Sequence, residues 1–99
     1  MNNLTIFKLI SGEELVAEQV EPSDGTIIKI KNAVTLVYQQ VGEGKMSVGF
    51  APFMPYAEDQ IDLRVSAIAS MSKPKDQIAQ EHMRVFSGIL IAPANAKLA

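Results

Sequence analysis

Residues 4–33, LTIFKLISGEELVAEQVEPSDGTIIKIKNA, decide the fold of this chain. They read as a strand, a tight turn at Ser11-Gly12-Glu13, a second strand, a turn at Pro22-Ser23-Asp24-Gly25, and a third strand that opens at Thr26-Ile27-Ile28. The turns have a chemical basis. Proline presets φ, glycine accepts φ > 0, and Asp and Ser bond their own backbone. The first strand, roughly 4 to 10, is apolar on both sides: Leu4, Ile6 and Ile10 on one, Phe7 and Leu9 on the other. A strand apolar on both faces needs a cover on both. The expectation is a small β domain with a helix or a closed barrel covering one side of this strand, or a subunit contact in addition.

The rest of the chain extends this pattern. From 26 to 40 it is rich in β-branched residues and is interrupted by Lys31-Asn32-Ala33, which predicts one long strand bent near Asn32. Gly42-Glu43-Gly44 is a hairpin signal, and 45–54 is the next strand, with Pro52 at an edge or at its end. Residues 55–60 read as a loop. The cleanest alternation is Ile61, Leu63, Val65, Ala67, Ala69 and Met71 on one face and Asp62, Arg64, Ser66 and Ser70 on the other, with Ile68 the exception, which predicts a single strand with one buried face. The period then changes. Pro74, Asp76, Ile78, Ala79, His82, Met83 and Phe86 predict an amphipathic helix over about 74–87, with Gly88 as its stop. Ile89-Leu90-Ile91 fits either helix or strand, and 93–99 reads as a frayed tail.

Composition bounds the class. Ninety-nine residues make one domain, and 47% hydrophobic residues is a high share for so small a domain and favours self-association. A formal net charge of −2 argues against a broadly basic nucleic-acid surface but leaves room for a local basic patch. With no cysteine there is no disulfide, thiolate nucleophile or thiolate metal site. No apolar run approaches membrane-spanning length, and the first residues lack a basic signal-peptide start. A cytoplasmic protein without membrane attachment is expected.

Five antiparallel strands with tight turns, followed by one helix, fit a small bent SH3-like or OB-like barrel over about 4–71. So small a barrel leaves edge strands that need partners, and strand addition between subunits satisfies them head-to-tail, which generates rings.

The pattern resembles the Sm-like (LSm) family, nearest to its phage and cyanophage members. Gly12 falls on the family's turn glycine, 15–20 on its second strand, Asp24-Gly25-Thr26-Ile27 on its Asp-x-apolar-Asn loop, and 28–33 on its third strand. The resemblance covers about 4–71. It implies a five-stranded Sm-like barrel, a non-catalytic homo-oligomeric ring, and binding of single-stranded RNA. The RNA contacts it implies are Asp24, Ile27, Lys29 and Tyr56, with no cofactor. If the protein is phage-encoded, the compartment is the host cytoplasm. In the family an Asn in the loop contacts a base, and here Ile27 stands there. The family carries an Arg-Gly pair at the end of its fourth strand, and the corresponding loop here reads as Pro55-Tyr56-Ala57-Glu58-Asp59, which holds no Arg. The family helix precedes the first strand, whereas this chain's follows the last. The alternative is therefore a phage-encoded assembly ring that binds a protein partner and has lost RNA binding.

Each candidate also has a plainer explanation. Asp24 suits a turn that bonds its own backbone. Tyr56 stacks a base or packs under its loop. Lys29, Lys31 and Lys45 form a basic rim in a ring or are ordinary solvated lysines. His82, the single histidine, is better read as a half-buried structural residue than as a ligand or base. Glu13-Glu14 and Glu58-Asp59 with Asp62 lack calcium-loop spacing and read as solvated turn residues. The methionines read as core or interface fillers. No phosphate loop, nucleophile elbow or catalytic triad order is present, so no enzyme is expected.

Overall fold

The computed structural model describes residues 4–20 and 24–91, with side chains in the terminal helix described as far as Phe86. The expected tail at 93–99 and the Pro22-Ser23 half of the second turn lie outside the described residues. The strands are β1 (Leu4–Leu9), β2 (Glu14–Val20), β3 (Ile27–Gly42), β4 (Lys45–Pro52), β5 (Gln60–Arg64) and β6 (Ile68–Ser72). A 3-10 turn, Val65–Ala67, joins β5 to β6, and the helix α1 spans Asp76–Ile91. The protein is mostly β, an antiparallel open sheet with one C-terminal helix.

The sheet order is β4-β3-β2-β1-β6, and β5 pairs with β3 beyond the end of β4. Both β4 and β5 therefore lie along β3: β4 opposite its second half, β5 opposite its first. The two halves of β3 meet at a bend. Asn32 adopts a φ of 52°, the left-handed region that non-glycine residues seldom enter. Opposite it, the register between β2 and β3 shifts between Val16 and Glu18, so Asn32 and Ala33 together face Ala17. The expected bend in a single long strand is found where Lys31-Asn32-Ala33 interrupts the β-branched run.

The strand expected over 61–71 is two strands. Its alternation continues through Val65 to Met71, yet only Leu63 of that face is buried, and Val65 and Met71 are exposed. The reason is topological. β5 belongs to the edge of β3, and β6 belongs to the edge of β1. One straight strand cannot lie against both, so the chain turns at Val65–Ala67. Hydrogen bonds hold the turn at each end: Val65 N–H donates to the Thr26 carbonyl at 2.9 Å, and Ile10 N–H donates to the Ala67 carbonyl at 2.9 Å.

The two-faced pattern of β1 corresponds to two apolar clusters. Phe7 and Leu9 join Leu15, Ala17, Ile28, Ile30 and Leu63 on one side. Leu4 joins Val16, Val34 and Leu36 on the other side, where Ile78, Ala79 and Phe86 of α1 pack. The cover expected over the second face is the helix. Ile10, assigned to that face, is instead solvent-exposed beside the Gly12 turn. α1 runs through Gly88, so Gly88 is not its stop, and 89–91 are helical. A lone glycine inside a helix costs about 1 kcal/mol, too little to end it.

His82 fastens the helix to the bend. It is 2% exposed, and its Nε2–H donates to the Asn32 carbonyl at 2.8 Å. Its ring lies 4.5 Å from that of Phe86 and 6.3 Å from that of Phe50, centroid to centroid. The Asn32 side chain reaches the other way and donates to Glu18 at 3.0 Å. The single histidine is structural, as its apolar neighbours suggested, and it is fully rather than half buried.

Candidate functional site

One end of the β3–β5 ladder brings together two of the residues singled out in the sequence, Asp24 and Ile27. It starts with Asp24. The Asp24 carboxylate accepts hydrogen bonds from the Thr26 N–H at 2.8 Å, the Thr26 hydroxyl at 2.9 Å and the Ile27 N–H at 2.9 Å. These bonds favour the ionised carboxyl, the Thr26 N–H most of all, then that of Ile27 and then the Thr26 hydroxyl, and they hold its pKa below the ordinary value. Asp24 N–H donates back to the Ile27 carbonyl at 3.3 Å. The turn chemistry expected of Asp24 is present, and it uses one carboxylate oxygen, Oδ1, for all three bonds.

Ile27 opens β3 directly opposite Arg64, the last residue of β5. Because Val65 then turns back to bond Thr26, the loop at 24–27 and the turn at 65–67 are tied together. Arg64 sits on that junction, exposed and without an ion-pair partner among the described residues. An unpaired guanidinium offers a planar fork of donors suited to phosphates, carboxylates and base edges.

Arg64 was missed by sequence reasoning. Read as the middle of a strand over 61–71, it is one polar residue alternating with apolar ones. Only the break at Val65 makes it a strand end, and only the β3–β5 register sets it against Ile27. The usable signal was Ile68, the one apolar residue out of step with the alternation, which packs against the Phe7 cluster.

Two other candidates do not join this cluster. Lys29 lies two residues along β3 and pairs with Asp62 at 3.0 Å, so its charge is already matched. Tyr56 is fully exposed on the 53–59 loop, beyond the opposite end of the ladder, where Lys31 faces Gln60. The four steps from Ile27 to Lys31 span roughly 13 Å. Tyr56 therefore does not converge with Asp24 within one chain, nor does it pack under its loop.

The acidic clusters separate as well. Glu14 pairs with Lys8 at 3.6 Å and accepts a hydrogen bond from the Tyr38 hydroxyl, which raises the Tyr38 pKa. Glu58 and Asp59 border a groove of about 520 Å³ between the end of β4, the 53–59 loop and α1. Among the described residues no group of three or more His, Cys, Asp or Glu side chains is placed to hold a metal ion. Among them, too, no helix is long and apolar enough to cross a membrane.

No family model matches the chain, and the curated proteins compared with it include none that is similar. The functional reading therefore rests on the geometry above and on the motif resemblance.

Proposed function

We propose that this chain is an Sm-like subunit that assembles head-to-tail into a homo-oligomeric ring and binds single-stranded RNA through the junction of the 24–27 loop with Arg64. The observation that carries the reading is Arg64 opposite Ile27. In the family the loop and an Arg at the end of the fourth strand act together. Here β4 and β5 share the place of that fourth strand along β3, and Arg64 ends it just before the turn into the last strand. Val65 replaces the family's glycine. Strand order also supports the ring. The outer edges of β5 and β6 are unpaired among the described residues, and pairing one with the other on the next subunit closes a cycle.

Within this reading Asp24 shapes the loop, Ile27 offers an apolar platform, and Arg64 supplies the charge. Lys29 is paired to Asp62 and contributes little. Tyr56 meets RNA only where a neighbouring subunit brings it near. One arginine per subunit is a weak site, but a ring repeats it around a single axis, which multiplies the attraction for a polyanion.

The test is binding of U-rich and A-rich oligonucleotides across a salt series. The wild type binds at low salt, its affinity falls as salt rises, and Arg64→Ala lowers it by at least about tenfold. Absence of binding at low salt overturns the RNA reading. It would favour the assembly ring with a protein partner, for which the apolar Ile27 and the matched charge of Lys29 speak.

A further inference from the structure

We infer that β4 is a self-pairing edge: two copies of this chain join β4 to β4 antiparallel about a two-fold axis at Val48, and each inserts its hairpin tip into the other's acidic groove. This contact is separate from the ring, which uses β5 and β6.

The edge invites it. β4 ends the sheet order, so one side of its eight residues has no strand partner among the described residues. Its sequence, KMSVGFAP, carries a single charge, Lys45. Protected edges are short, bulged or rich in charge, and a long apolar one is a template for another strand. β4 has none of the usual protections until Pro52 at its end.

Side chains on the hairpin point the same way. Met46, Val48 and Phe50 share one face of β4, and their β3 partners Leu36 and Tyr38 share it too. Phe50 and Leu36 pack in the cluster beneath α1. Beyond the helix that apolar face continues uncovered: Met46 is 63% exposed, Tyr38 52% and Val48 40%.

The groove supplies the complement. It is lined by Phe50, Pro52, Met54 and Phe86, and bordered by Glu58 and Asp59. Neither carboxylate has an ion-pair partner among the described residues, and neither does Lys45. Met46 and Lys45 of a second copy point to opposite faces of the strand, and each meets the groove at its own place: apolar Met46 beside Phe50, and cationic Lys45 beside Ala51, both lining residues of a groove with an acidic border.

Parity limits the register, and Val48 is the allowed centre that sets Met46 of one copy against the groove residue Phe50 of the other. Residues facing each other across an antiparallel pair share a face of the sheet, so a two-fold passes through a residue paired with its own copy. Centred on Val48, Met46 falls opposite the second copy's Phe50, and Lys45 opposite its Ala51. That brings the tip of one hairpin to the groove at the base of the other. The contact is isologous and closes on itself.

Native mass spectrometry of the full chain tests the contact. Val48→Lys sets two cations against each other on the axis at an exposed position, and circular dichroism checks that the fold is kept. The expected result is half the wild-type mass: a monomer from a dimer, or a single ring from a double one. An unchanged mass overturns the inference. Because the chain has no cysteine, Val48→Cys gives an independent answer. Mild oxidation should link it into a covalent dimer, since the paired β-carbons lie close to disulfide range. Ser47→Cys, which faces Gly49 of the second copy, should link at least about fivefold less. Equal linking of the two, or none, overturns the register and the two-fold with it. RNA affinity that fails while the mass still halves removes the RNA reading and leaves this contact standing.

Discussion

The first half of β3, residues 27–31, lies between β2 and β5, whereas the second half, residues 34–42, forms a hairpin with β4 that is buried at Val34 and Leu36 and exposed beyond them. Both halves are rich in β-branched residues, so local propensity treats them alike. Their environments differ. Ile28 and Ile30 are buried in the cluster around Phe7, while Val37, Val41 and the β4 residues Met46 and Val48 are exposed. A strand is neither core nor surface by itself. The neighbours laid along it decide: the strand partner changes at Asn32, and exposure begins past Leu36, where the cover of α1 ends.

The largest test of this contrast removes side chains from the two halves. Ile30→Ala, at 0% exposure, should cost about 2–5 kcal/mol in chemical denaturation. Val41→Ala, on the exposed hairpin, should stay within about 0.5 kcal/mol. Equal losses would mean that the hairpin is as much a part of the monomer's core as the first half.

Next comes the fastening between them. His82→Phe keeps an aromatic ring between Phe50 and Phe86 but removes the donor to the Asn32 carbonyl. A loss of about 1–3 kcal/mol is expected from the unmet buried carbonyl. No loss would show that packing alone holds α1 to the bend.

The bend itself is a smaller effect. Asn32→Val places a β-branched residue at a φ of 52° and deletes the bond to Glu18, and should cost about 1–2 kcal/mol. Asn32→Gly loses the same bond without the strain and should be the milder of the two in parallel melts. If glycine proves worse than valine, the backbone at Asn32 is not what sets the bend.

The smallest effect lies at the start of the first half. The Asp24 carboxyl has its pKa held below the ordinary value by the Thr26 and Ile27 N–H groups. Its contribution to stability is therefore fully present above the ordinary carboxylate range and is lost as pH falls through the lowered value. Asp24→Asn should flatten that acid limb of a stability-versus-pH curve and leave neutral pH less affected. An unchanged acid limb would remove Asp24 from the pH response.

Much of this architecture is legible in the residues. Gly12 at a φ of 104° and Gly44 at 70° sit in the turns that their sequence contexts announced. The two-faced β1, the bent β3 and the amphipathic α1 also follow from patterning. The break at Val65 does not, because Ile61 to Met71 alternates apart from Ile68, and that one exception does not say which neighbour each half will join. The candidate site was half legible for the same reason. Asp24 and Ile27 lie in one local turn, but Arg64 reaches them across a ladder, and Tyr56 is carried away by it.

The sequence alone determined the local chemistry: where the chain turns, which residues alternate, and where period two gives way to a helix. Those features depend on φ, on β-branching and on side-chain spacing within a few residues. Only the tertiary structure decided which side of each strand is covered, that Arg64 meets the 24–27 loop, and that β4 keeps an open edge. These depend on pairing between segments far apart in the chain. There, burial and backbone hydrogen bonding are settled by what lies alongside a residue and not by what precedes it.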